Sequence, residues 1–177
     1  YSFVLLLAGN FRDGWREFSW RNCSQSRPDL NFCQTLNRAS SWNRETKLVI
    51  DSQQGLGDTL QFIRYLKGLR KRHPNFILTA PEKLLSLLTN SGIPCISKLD
   101  HDSPFSNQEH VDLMSLPALL DFNESKPDFG MPYVHPSSEL VEKWRSRFKQ
   151  LPCRGIVGVN WSGNRNDLEK RGRNFPI

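Results

Sequence analysis

The sequence predicts an α/β domain built on a parallel sheet with helices on both faces, and three observations predict it. Residues 47–51 form a short β-branched run that leads into Gln53-Gln54-Gly55-Leu56-Gly57-Asp58 and then into Leu60, Ile63, Leu66 and Leu69 at helical spacing. The alternation then recurs: 76–80 reads as a strand, 81–89 as a helix opening on proline, 94–98 as a third strand and 111–114 as a fourth. Strands that alternate with helices favour parallel pairing, because a parallel pair needs a crossover and the crossover is normally helical.

The flanking segments follow from the same kind of reading. In 1–21 an apolar run, a Gly9-Asn10 break and Phe11, Trp15 and Phe18 on one face predict a helix hairpin. Residues 22–46 have mixed polarity and no steady period, so they read as a connector that Trp42 pins to the core. The sheet domain then occupies 47–125. Pro127, Gly130, Pro132 and Pro136 break regular structure, so 126–153 reads as an interdomain linker followed by a helix that Ser137 and Ser138 can cap. Residues 154–177 open a second domain, with 155–161 as a buried strand that enters a polar, basic loop.

A chain of 177 residues, 37% hydrophobic and 24% charged, can bury one ordinary core but hardly two. No apolar run approaches the roughly 20 residues that cross a bilayer, and the start lacks the basic lead-in of a signal peptide, so a soluble, unexported, cytoplasmic protein without a transmembrane segment is expected. Cys23, Cys33, Cys95 and Cys153 are scattered, with no CxxC pair, and His73, His101, His110 and His135 show no metal spacing. No metal and no acyl-transfer elbow is expected. The net charge of +6 suits a partner that carries phosphate. Much of that charge sits in Arg64, Lys67, Arg70, Lys71, Arg72 and His73, which at helical spacing reads as a solvated face. Aromatic and basic residues do not interleave as a stacking platform requires, which argues against nucleic acid.

Two constellations can carry chemistry. The Gly55-Leu56-Gly57-Asp58 turn lies at the carboxyl end of a strand, where ligands of open α/β sheets collect, and both glycines let backbone approach a ligand. It is neither a Walker loop nor a good dinucleotide fingerprint, since no Gly-Lys-Ser/Thr follows and Leu60 stands where a third glycine belongs. Two readings of Asp58 fit. It is a general base kept ionised by the helix N-terminus, or a helix N-cap that forms a near capping box with Gln61. The second constellation is Val159-Asn160-Trp161-Ser162-Gly163-Asn164, followed by Arg165, Lys170, Arg171 and Arg173. A small-residue turn with cations nearby can hold a diphosphate, and the bland alternative is an exposed basic tail.

The string Leu48-Val-Ile-Asp-Ser-Gln-Gln-Gly-Leu-Gly-Asp-Thr-Leu-Gln-Phe-Ile-Arg-Tyr-Leu66 resembles the first strand, loop and helix of bacterial TPR-linked glycosyltransferases, relatives of the heptosyltransferases. Residues 7–21 resemble that family's last TPR half-repeat, Ser41-Trp42-Asn43 its linker, and 157–164 the opening of its second domain. The resemblance implies a GT-B enzyme whose Rossmann-like first domain binds a glycan, lipid-linked or protein acceptor and whose second domain binds a nucleotide diphosphate sugar, with neither metal nor other cofactor. It implies Asp58 as the base, with Gly55, Gly57 and Gln61 beside the substrate, and Ser162, Gly163 and Asn164 as the donor-phosphate turn. Arg173 then stands where heptosyltransferases have a lysine. Measured against that pattern, the chain holds the first domain and only the opening of the second, which implies that these residues alone are inactive. The competing expectation is a noncatalytic module that binds a protein partner through the TPR-like segment, with Trp15, Phe18 and Trp20 partly exposed.

Overall fold

The computed structural model describes residues 1–21, 35, 38–52, 55–97, 108–121, 132–152 and 155–159. The chain divides into two compact units, Tyr1–Ser137 and Ser138–Ile177.

The first unit opens with the expected helix hairpin, α1 (Ser2–Leu7) and α2 (Phe11–Ser19). Gly9 makes the turn with φ +80°, a left-handed conformation that costs glycine nothing. Asn10 caps α2, its side-chain oxygen accepting from the Asp13 amide at 3.4 Å. The helices meet at the buried Gly14, where a Cβ would lie 2.7 Å from Leu6 Cδ2 and 3.1 Å from the Leu6 nitrogen. Gly14→Ala therefore tests the hairpin. Alanine gains about 1 kcal/mol of helix propensity, but the overpacking it forces costs about 1–3 kcal/mol. Urea denaturation should show a net loss of stability; a net gain would mean that α1 yields freely and the hairpin is loosely held.

Aromatic packing fastens α2 to the sheet domain. The Trp15 ring stands edge-on to Phe62 at 5.7 Å, to Tyr65 at 6.3 Å and to Phe18 at 5.8 Å. Trp15 and Phe18 are both half-buried, whereas Trp20 remains 52% exposed. Burial pushes the Tyr65 phenol up to about 12, against the lowering effect of the nearby Arg64 charge.

The sheet domain runs β1 (Leu48–Asp51), α3 (Leu56–Phe62), a 3-10 turn at Ile63–Tyr65, α4 (Leu66–Arg72), β2 (Phe76–Thr79), α5 (Glu82–Asn90), β3 (Cys95–Ile96), β4 (Glu109–Asp112), a second 3-10 turn at Leu113–Ser115 and α6 (Leu116–Leu119). The four strands pair in the order β3-β2-β1-β4, every pair parallel, and helices flank them. The fold is thus α/β, as the alternation predicts. Two strands differ from expectation. β3 spans only two residues of 94–98, and β4 begins at Glu109 and ends at Asp112, short of the predicted 111–114. The shift has a local cause: the Asp112 side chain accepts from the Met114 amide at 3.0 Å and turns the chain out of the sheet.

Side chains alternate across the pleat. Leu48 and Ile50, Phe76 and Leu78, and Val111 join Ile63, Leu66, Leu69, Leu84 and Leu88 in one core. Each such fully buried aliphatic or aromatic side chain contributes about 1.5–3 kcal/mol. The alternate positions, Val49, Asp51, Ile77, Thr79, His110 and Asp112, belong to the opposite face. Trp42 packs against the core, edge-on to His73 at 5.7 Å, so the connector is pinned where the sequence places the pin. Tyr133 and Val134 also pack there, and the His135 amide donates to Ser91 Oγ at 2.8 Å. Of the charge run, Lys67, Arg70, Lys71 and Arg72 lie exposed as a solvated face would, whereas Arg64 is half-buried over the Tyr133 ring and His73 half-buried against Trp42.

The second unit contributes α7 (Ser138–Lys149), in which Arg145 pairs with Glu142 and the Trp144 and Phe148 rings lie 5.6 Å apart. The buried strand expected over 155–161 does not form across its described part. Residues 155–159 are in no strand, and Val157 is 86% exposed. An apolar run becomes a buried strand only when a neighbouring strand takes up its amides and carbonyls, and none among the described residues of that unit does so. Among the described residues no helix is long and apolar enough to cross a membrane.

Candidate functional site

The strand order fixes where a ligand would sit. From β1 the chain steps through β2 to β3 on one side, and β4 then pairs on the other side of β1. In an open parallel sheet, such a reversal leaves a crevice outside the carboxyl ends of the two strands that flank it. Here those strands are β1 and β4. Their last residues, Asp51 and Asp112, are register partners, and the Gly55–Asp58 turn follows directly from β1.

Three carboxylates gather around this edge, and their environments separate them. Asp112 is buried and engaged with Arg21 and with the Met114 amide. Burial lowers the Arg21 pKa, an effect that the Asp112 charge and hydrogen bond oppose. Arg21 also donates to the Phe18 carbonyl at 3.0 Å and lies 4.3 Å over the Phe18 ring. Asp112 thus ties the end of α2 to the sheet. Asp51, 8% exposed, accepts from Thr79 Oγ1 at 3.0 Å and from His110 Nδ1 at 2.7 Å. An ionised carboxylate only accepts hydrogen bonds, so Nδ1 carries the imidazole proton.

Asp58 differs from both. It is exposed, and no described residue hydrogen-bonds its side chain. It is not the N-cap. α3 begins at Leu56 with Gly55 in the cap position, no side chain caps it, and Asp58 falls in the first turn. The capping box expected with Gln61 is therefore absent. The helix starts one turn earlier than the Asp58-Thr-Leu-Gln61 spacing suggests, because the Gly55 carbonyl already accepts from the Thr59 amide at 3.0 Å. A carboxylate there still gains from the helix dipole.

Gly55, Gly57, Asp58 and Gln61 all lie exposed at this end of α3, with Asp58 and Gln61 one turn apart on the same side. A Cβ at Gly57 would meet nothing within 4 Å, and one at Gly55 only Asp58 Oδ2 at 3.5 Å. Neither glycine has positive φ. Packing among the described residues therefore requires neither, and the bare backbone remains open to an incoming group. The turn is braced from below: Ser52 Oγ and Thr59 Oγ1 lie 2.5 Å apart, Thr59 Oγ1 donates to the Gly55 carbonyl at 3.1 Å, and the Ser52 amide donates to the Thr79 carbonyl at 3.2 Å. The Gln61 carbonyl accepts from Arg64 Nε at 2.5 Å.

Ser162, Gly163, Asn164 and Arg173 lie outside the described residues. Asp51, Thr79, His110 and Asp112 did not emerge from the sequence as site residues. Their signal is the alternation of polar side chains with buried apolar ones at strand ends, as in Glu109-His110-Val111-Asp112. No group of His, Cys, Asp and Glu among the described residues could hold a metal ion. No family model, curated protein or solved structure matches the chain.

Proposed function

We propose that this chain carries the acceptor-binding part of a GT-B glycosyltransferase, which moves a sugar from a nucleotide diphosphate sugar to an acceptor hydroxyl. The observation that carries the reading is Asp58, an exposed carboxylate beside the switch point of a parallel sheet with no described partner. Evolving a base there needs a carboxylate that the fold leaves free, and Asp51 and Asp112 are both engaged. The resemblance of Leu48–Leu66 to the first strand, loop and helix of the TPR-linked enzymes points the same way.

In the proposed reaction the Asp58 carboxylate takes the acceptor hydroxyl proton as that oxygen attacks the anomeric carbon. The bond from the anomeric carbon to the diphosphate oxygen breaks, and the nucleoside diphosphate leaves with the bonding pair. The family resemblance assigns Ser162, Gly163, Asn164 and Arg173 to the donor-phosphate turn, whose role is to offset the charge on the departing group. Gly55 and Gly57 leave room for the acceptor against the start of α3.

Gly57→Ala separates substrate approach from stability. The added methyl meets no atom of the described residues within 4 Å, so stability should hold or rise by up to about 1 kcal/mol. Acceptor affinity should nevertheless fall. Calorimetric titration of UDP, GDP and ADP sugars and of candidate acceptors into the natural protein, with and without the substitution, checks both halves. Unchanged acceptor binding by Gly57→Ala would remove the glycine turn from the site.

A second reading, a noncatalytic module that binds a protein partner, is favoured by the exposed apolar residues Tyr1, Phe3, Val4 and Leu7 on the hairpin. Silence toward every nucleotide sugar would support it.

A further inference from the structure

We propose that His110 is a positioning residue, which holds the Gly55–Asp58 turn in place through the Asp51 carboxylate; the inference rests on Asp58 being the base. The backbone ladder of β1 ends at Asp51 on both sides, opposite Thr79 of β2 and Asp112 of β4. Just beyond that point the chain leaves the sheet for the turn, and among the described residues the Ser52 amide still reaches back, to the Thr79 carbonyl. The Asp51 side chain continues the cross-linking where the ladder stops. One oxygen is held by the Thr79 hydroxyl at 3.0 Å and the other by His110 Nδ1 at 2.7 Å, so a single carboxylate ties the end of β1 to the end of β2 and to His110, the second residue of β4.

The geometry also argues against simple packing. A nearly buried carboxylate is costly to desolvate, and an apolar residue of similar size would fill the same space without that cost. What the polar arrangement adds is direction. Both acceptor oxygens are engaged, the carboxylate plane is fixed, and the peptide that launches the turn is fixed with it. From there the brace passes through Ser52 Oγ to Thr59 Oγ1 and on to the Gly55 carbonyl, the N-cap of the helix that carries Asp58. Among the described residues, the contact that links His110 to this brace is the one to Asp51. It acts through Asp51.

The groups charged or titratable around the pair are Asp112 with Arg21 on the same sheet face, and Lys47, Glu45 and the Arg38–Glu109 ion pair lining the cleft beside His110. None of these reaches Asp51 by a hydrogen bond. The clamp is thus specific to Thr79 and His110.

The test uses two substitutions of differing chemistry. His110→Leu removes the donor, whereas His110→Asn returns an N–H close to the place of Nδ1. Amide spectra of the 177-residue chain should show Ser52, Gly55, Gly57 and Asp58 displaced in His110→Leu and restored in His110→Asn, with the amides of α5 unmoved in both. In the natural protein, sugar transfer by His110→Leu should fall about 10- to 100-fold in kcat, with acceptor KM within roughly twofold, and His110→Asn should recover most of it. Thr79→Val, which removes the other half of the clamp, should reproduce the displaced amides if His110→Leu does not fold. Unmoved turn amides in His110→Leu, or equal displacement in His110→Asn, would overturn the proposal. Displaced turn amides in His110→Leu, together with no sugar transfer by the wild-type protein, would instead uphold the positioning and overturn the glycosyl-transfer reading.

Discussion

Asp58→Asn is expected to lower sugar transfer by about 10²- to 10⁴-fold, the range a positioned general base contributes. The amide keeps the shape of the carboxylate and cannot accept the proton. Its effect on the fold should be small, because Asp58 is exposed and caps nothing. The only structural loss is its favourable place near the N-terminus of α3, worth about 0.3–1 kcal/mol. Transfer of a labelled sugar, measured beside urea denaturation of the same preparation, separates the two. Normal turnover in the variant would remove Asp58 as the base. Loss of turnover together with a large loss of stability would return it to a structural role.

Trp15→Ala should produce the largest loss of stability of any substitution considered, about 3 kcal/mol, at the low end for a large aromatic because the ring is half-buried. Its contacts explain the size. The ring bridges Phe18 of its own helix to Phe62 and Tyr65 on the helical segment that follows β1, so truncation opens a gap between the hairpin and the sheet domain. Trp15→Phe should restore part of the loss. A change below about 1 kcal/mol in chemical denaturation would show that the hairpin is only loosely attached to the domain behind it.

The larger pattern of the fold was legible because it is periodic. β1, the helical run through Leu60, Ile63, Leu66 and Leu69, β2 and α5 each carry a continuous signal, and the glycine turn punctuates the first of them. The ends of elements were harder. Asp112 closes β4 through a side-chain bond to the next turn, and Gly55 rather than Asp58 caps α3, both decisions of one residue that no period records. The run 155–159 shows the opposite failure, an apolar pattern in no strand among the described residues. Of the candidate site, the glycine turn and Asp58 could be read locally. The Asp51–His110 pair could not, since its members stand 59 positions apart and meet only through the register of β1 with β4. Strand register in a parallel sheet is set by packing of distant segments, and a single sequence does not display it.

The sheet's rims carry a consequence for the behaviour of the protein in concentrated solution. Among the described residues one rim is β3, only two residues long, and the other is β4, which opens on Glu109. A two-residue rim offers few free amides to recruit a strand from another copy, and the half-buried Glu109 that opens the other discourages one from docking. The sheet is thus poorly suited to seeding the stacked ribbons into which exposed, flat, apolar strand edges assemble.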